Sequence, residues 1–389
     1  MTRETFLPFA RPTLGEEEVS ELLDSLRSGW ITTGPKTERF AEAFRDYVGA
    51  RHALPVSSAT AGLHLALLAH GIGPGDEVIT TPMTFVATLN VIVLVGATPV
   101  LADIDRATLN IDVTKLEAKI TPATRAVIPV HFVGQPCDMG PILGLAAGNR
   151  NPLVVIEDAA HAVGTEYKGR KIGSLPSTSV FSFHPNKNMT TGEGGMVVTD
   201  DDEVAERVSL LRFHGMDRNA WKRFDKAGSH RYDIAEPGFK YNMMDIQAAL
   251  GLHQLPRLEE FIERRRTLAE RYQAMLSDAP FILPQPVPWP SKHAWHLYTP
   301  LLDLERVTIN RDQFMSELKS RNIGCGLHYT AAHEFTYYRD AYGWKPEDYP
   351  EAHFVSERIL SLPLYPTLSE ADQDDVIAAI HEIGEKFRR

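Results

Sequence analysis

Phe181-Ser182-Phe183-His184-Pro185-Asn186-Lys187-Asn188-Met189-Thr190-Thr191-Gly192-Glu193-Gly194-Gly195 is the stretch around which this 389-residue chain is organised. It sets one lysine just after a β-branched and aromatic run and just ahead of glycine-rich backbone. A lysine among small, aromatic and polar residues loses hydration. That loss lowers its pKa and frees the amine as a nucleophile toward carbonyls. Glycines beyond it let the backbone turn close to a bound ring. The plainer reading is a flexible loop with an exposed lysine, and segments elsewhere in the chain decide between the two.

Upstream, Ile156-Glu157-Asp158-Ala159-Ala160-His161 places two carboxylates at the carboxyl end of an apolar run. Ligands of open α/β sheets sit outside the carboxyl ends of the strands. An aspartate there can pair with a protonated ring nitrogen, and His161 can touch the same ring. Alternatively, Asp158 caps the next turn and His161 is a packing histidine. Earlier still, Ser57-Ser58-Ala59-Thr60-Ala61-Gly62 opens a helix after a strand. Backbone N–H groups and the helix dipole suit an anion there, although Ser58 or Thr60 can equally be a simple N-cap. Phosphate cradle, ring-nitrogen partner and nucleophilic lysine are the three minimal requirements of pyridoxal 5′-phosphate. Together the three segments supply them.

The surroundings fit an α/β protein. Strands are expected at 52–56, 77–81, 99–104, 126–132, 153–156, 179–184 and 196–199, with helices at 60–70, 85–95, 113–120, 139–147 and 204–214. Strand runs that are apolar throughout mark a sheet covered on both faces, and alternation with helices marks a mostly parallel one. The pattern changes near residue 245, where 244–276 reads as one long helical stretch that Pro256 is expected to kink or divide. Beyond a proline-rich passage come an expected strand at 296–302, a helix at 311–322, a strand near 326–329 and helices at 352–360 and 370–387. The chain thus divides into a large α/β domain with an N-terminal arm, residues 1–250, and a smaller C-terminal α+β domain, residues 251–389. A ligand between them would be in a usual place.

Composition narrows the classes. The formal net charge is −11 and no Lys/Arg run is longer than Arg264–Arg266, which argues against nucleic acid. Two cysteines, Cys137 and Cys325, form neither a disulfide framework nor a zinc pattern, so no metal is expected. No apolar stretch is long enough to span a bilayer. The expectation is a cytoplasmic protein without membrane insertion.

The order of these segments, with Gly29-Trp30-Ile31-Thr32-Thr33-Gly34-Pro35 near the start, resembles the DegT/DnrJ/EryC1/StrS family of sugar aminotransferases over essentially the whole chain. The matching stretches are Gly29–Lys36, Ser57–Gly62, Gly75–Thr80, Glu157–Thr165, Phe181–Asp200, Gly238–Asn242 and Gly326–His333. The resemblance is closest to the branch that makes UDP-4-amino-4-deoxy-L-arabinose. It departs from that branch at Pro185-Asn186 and Thr191-Gly192, which loosens the identity of the sugar and leaves the chemistry.

The resemblance implies a fold-type-I pyridoxal-phosphate enzyme with a mixed, mostly parallel sheet. It implies transamination from L-glutamate to a nucleotide-linked 4-keto sugar. Residue by residue, it makes Lys187 the lysine that bonds the cofactor and Asp158 the partner of the ring nitrogen, both catalytic. His161 would lie against the ring, with Ala59, Thr60 and Ser182 on the phosphate and Phe85 stacked on the ring. Asn242 would reach the phosphate of a neighbouring subunit, implying a homodimer with shared sites. His328 and Tyr329 would touch the sugar. A deoxysugar dehydratase of the same fold would carry His in place of Lys187. A non-catalytic binding protein of this fold would be expected to lose Lys187 or Asp158, and both are present.

Overall fold

The computed structural model describes residues 2–216 and 233–389. Two helices, α1 (Glu16–Ser28) and α2 (Pro35–Val48), come first. An alternating run follows: β1 (His52–Val56), α3 (Ala59–Ala69), β2 (Glu77–Thr80), α4 (Ala87–Leu94), β3 (Thr98–Leu101), α5 (Val113–Glu117), β4 (Thr124–Val127), α6 (Met139–Gly148) and β5 (Val154–Asp158). A hairpin of β6 (Glu166–Tyr167) and β7 (Arg170–Lys171) leads to β8 (Thr178–Ser182), β9 (Gly195–Thr199), α7 (Asp202–Leu211) and the 31-residue α8 (Asp245–Met275).

Seven strands form the main sheet in the order β1-β9-β8-β5-β4-β2-β3. All neighbours pair in parallel except β9, which runs against both β1 and β8. The sheet is the mixed, mostly parallel one expected from the sequence. Its residues alternate between two cores, as the two-residue period of a strand requires. Ile79, Val127, Val155 and Phe181 enter one core with α2, α6 and the first half of α8. Val78, Ala126, Ile156, Val180 and Val197 enter the other with α3, α4 and α7. Gly62 lets α3 lie close on that face: a methyl at this position would come within 2.6 Å of Val180 Cγ1.

That alternation decides the site. Asp158 continues the face of Ile156, and Ser182 that of Val180, so both point to the α3–α4 side at the carboxyl end of the sheet. Glu157 points the other way.

The structure corrects several boundaries. The expected strand at 126–132 ends at Val127, because Pro129 has no N–H to continue the ladder. The expected strand at 296–302 shortens to Leu301–Leu302, with Pro300 interrupting it and Tyr298 held to Leu362 by one bridge. The expected strand at 326–329 is a single bridge from Gly326 to Ser361. Pro256 does not divide α8, which runs unbroken; the proline is exposed, so the carbonyl that loses its donor lies on the solvent side. One face of α8 serves two cores, with residues to Ile262 in the sheet's core and Leu268 onward in a C-terminal core. Leu7 of the N-terminal arm also packs in that C-terminal core. Among the described residues, no helix is long and apolar enough to cross a membrane.

Candidate active site

A cavity of about 390 Å³ opens at the carboxyl ends of β5 and β8 and the amino end of α3. Its walls include Ala59, Thr60, Phe85, Asp158, His161, Ser182, Lys187, His328 and Tyr329. Nine of the ten residues singled out by sequence thus meet in one place, although they come from segments as distant as residues 59 and 329.

The tenth, Asn242, does not line the cavity of its own chain. It lies beside Val56 at the end of β1, with Nδ2 donating to Thr33 Oγ1 and Oδ1 buried without a partner among the described residues.

At the start of α3, Ser58 Oγ accepts the Ala61 N–H at 3.1 Å, and Ser58 O accepts the Gly62 N–H at 3.0 Å. Ser58 is therefore an N-cap, as the plainer reading had it. Capping still leaves the first two amides, on Ala59 and Thr60, without an acceptor among the described residues, and they point out of the positive end of the helix. Gly195 crosses directly behind this turn, where a methyl group would come within 2.7 Å of Ala59 N. Free amides, a serine hydroxyl on Ser182 and glycine-cleared space are groups that can hold a phosphate.

Asp158 is buried. Its Oδ2 accepts the hydroxyl of Thr88 at 2.7 Å, and Oδ1 accepts the Ala160 N–H at 3.1 Å. Burial pushes its pKa up, while the Thr88 and Ala160 bonds and the charge of Lys187 oppose that rise. Thr88 is in turn 2.8 Å from Thr84 Oγ1. Thr88 is one site residue that sequence reading missed, since it lies within an apolar helix.

Part of the Lys187 side chain reaches solvent, yet its amine is surrounded by protein. Loss of hydration brings its pKa down to about 8, against the pull of Asp158. About a tenth of it is then neutral near pH 7, far more than an exposed lysine offers.

His161 is buried, and its Nδ1 accepts the Val133 N–H at 3.2 Å. Burial, with Lys187 and His328 nearby, holds its pKa well below the usual histidine range. The neutral ring therefore carries its proton on Nε2, 3.1 Å from Tyr329 Oη, and donates it there. The Tyr329 hydroxyl proton is left free to point into the cavity. Burial and the charge of Asp158 push the Tyr329 pKa up, so that proton stays in place. His328 Nδ1 lies 2.8 Å from Ser361 Oγ, and burial lowers its pKa to about 4. Phe85 is 54% exposed, its ring 5.6 Å from that of Tyr329, so one face of the cavity roof is open in the single chain.

Comparison with known proteins comes to the same chemistry. The DegT/DnrJ/EryC1/StrS aminotransferase family matches residues 12–381. The spore coat polysaccharide biosynthesis protein SpsC of Bacillus subtilis is 49% identical over 98% of both chains. The putative sugar aminotransferase Spr1654 of Streptococcus pneumoniae, solved in its PMP form, superposes with a TM-score of 0.91 at 34% identity, covering 98% of this chain and 99% of that one. PseC of Helicobacter pylori, an aminotransferase involved in the biosynthesis of pseudoaminic acid, gives a TM-score of 0.90 at 30% identity, covering 99% and 100%.

Proposed function

The chain belongs to the DegT/DnrJ/EryC1/StrS aminotransferase family, a pyridoxal-phosphate-dependent sugar aminotransferase, and from that premise we propose that it moves the amino group of L-glutamate onto a nucleotide-linked 4-keto sugar destined for a surface glycan. The observation that carries this reading is a lysine of pKa about 8 lining one cavity with a strand-end aspartate and the two unbonded amides at the start of α3. The kinship to SpsC, whose name assigns it to spore coat polysaccharide, favours a surface-glycan sugar. UDP-4-amino-4-deoxy-L-arabinose remains one product of that class.

Bound in this cradle, pyridoxal 5′-phosphate supplies a carbonyl that exchanges oxygen for an amino group and a ring that takes up electrons. The rest is the work of the chain. Ala59 and Thr60 N–H groups and the Ser182 hydroxyl hold the phosphate. The Asp158 carboxylate, fixed by Thr88 and Ala160, holds a proton on the ring nitrogen by its charge. Lys187 Nζ would hold the cofactor through its carbonyl and, as a free amine, would take the proton from the α-carbon of glutamate as a general base. The same amine delivers a proton to the sugar carbon in the return half. Phe85 covers the ring, and His161 aims the Tyr329 hydroxyl at the sugar beside His328.

The reading includes a cytoplasmic homodimer with shared sites. The half-open roof at Phe85 supports a second copy there. So does the row of exposed apolar residues Val19, Leu23, Leu26, Trp30 and Ile31.

The test is a panel of 4-keto and 3-keto nucleotide sugars, each given with glutamate, read by mass spectrometry of the sugar and by release of 2-oxoglutarate. Amination of a 4-keto sugar is expected. Amination restricted to 3-keto sugars, or a donor other than glutamate, would overturn the assignment while leaving the family untouched.

A further inference from the structure

Four residues past Tyr329, the chain turns through Ala332–Glu334 and packs against the short helix Pro350–Ser356. His333 in that turn is fully buried, and neither of its ring nitrogens has a hydrogen-bond partner among the described residues. Polar atoms removed from water are normally paired. Its Nε2 stands 3.8 Å from Glu334 Oε1. That same oxygen is 2.7 Å from His353 Nδ1, while Glu334 Oε2 accepts the Ser356 hydroxyl at 2.7 Å. A nitrogen from each histidine and an oxygen of Glu334 all lie within 4.8 Å of one another.

We propose that His333, Glu334 and His353 form a binding site for one divalent transition-metal ion, with zinc the best match. Two imidazoles and a carboxylate are the ligand set of zinc rather than of magnesium or calcium, which take oxygen alone. Ligands about 2.1 Å from a common tetrahedral ion stand about 3.4 Å apart, so His333 Nε2 must approach Glu334, His353 Nδ1 must draw back from it, and the ligand atoms, now within 4.8 Å of one another, must close to that spacing. The His353 proton moves from Nδ1 to Nε2, which stands 3.9 Å from Glu357 Oε2. A carboxylate behind the ring is the usual partner of a ligating histidine. A water completes the set. The ion clamps the turn that carries the His328-Tyr329 wall onto the helix behind it, and it takes no part in amino transfer.

The test uses tag-free, cofactor-loaded enzyme, exposed to excess zinc and then dialysed exhaustively. Metal content is read by plasma mass spectrometry, and thermal unfolding is followed with and without zinc. The wild type should retain about one zinc per chain and melt higher with it, as a ligand bound to the native state requires. His353→Gln alters a half-exposed side chain, so it should fold and keep the bound-cofactor absorbance while losing both the zinc and the shift. His333→Gln should do the same. Zinc near zero in the wild type would overturn the proposal. So would equal retention by wild type and His353→Gln, which would mark the metal as adventitious.

Discussion

Glu157 and Asp158 are consecutive residues of one strand, yet they live in opposite environments. Glu157 is buried on the α2–α6 face, where Oε2 is 2.7 Å from His131 Nε2 and Oε1 accepts the Ser179 hydroxyl at 2.9 Å and that of Ser177. His131 Nδ1 accepts the Cys137 N–H at 3.1 Å. Every polar atom there has its partner. Despite desolvation, these bonds hold the Glu157 pKa below the usual carboxylate range. Asp158 has a hydroxyl and one amide, its pKa is raised, and it faces a cavity. The strand's alternation puts a saturated structural carboxylate beside one with capacity to spare. A carboxylate at a strand end is therefore not by itself a functional one; the face it points from decides.

Substitutions on the two faces should separate. Asp158→Asn keeps the shape and removes the charge. Turnover should fall at least about 100-fold, since two pKa units at the ring nitrogen already correspond to about 2.7 kcal/mol, while the melting temperature barely moves. A loss under about tenfold, by the same arithmetic, would break the contrast. Thr88→Val is smaller in effect. It removes one hydrogen bond to a charged group, worth about 1.5 kcal/mol at the low end of such bonds, so the rate should drop roughly tenfold and Thr88→Ser should restore most of it. Equal damage by Val and Ser would assign Thr88 to packing alone.

Glu157→Ala should affect catalysis least. It strands His131, Ser177 and Ser179, so urea unfolding should show a loss of about 3 kcal/mol or more. The rate per folded molecule should stay within about threefold, because no interaction with the reacting groups is lost. A folded Glu157→Ala protein as slow as Asp158→Asn would erase the distinction between the faces.

What could be read in the sequence follows the same division. Lys187, Asp158 and the Ser58–Thr60 turn were legible because each sits where a strand ends, and strand ends are marked by apolar runs giving way to small or charged residues. Thr88 was not, because its partner lies 70 residues away and nothing local marks a threonine within an apolar helix. The two N-terminal helices were also overlooked. Pro35 at the first helical position, Gly49 after the last, and Phe40, Phe44 and Val48 on one face were the available signals for α2. In the C-terminal third, runs that look like strands are broken by Pro300 or held by single bridges, so pairing there depends on partners the local pattern does not name.

The central claim is that Lys187 carries the cofactor. Borohydride reduction of the loaded enzyme, followed by proteolysis and peptide mass mapping, tests it directly. The account predicts a yellow protein whose reduced cofactor is found on the peptide containing Lys187, and a Lys187→Ala variant that still binds the cofactor but is neither labelled there nor active. Label on a different lysine, or wild-type turnover in Lys187→Ala, would contradict it.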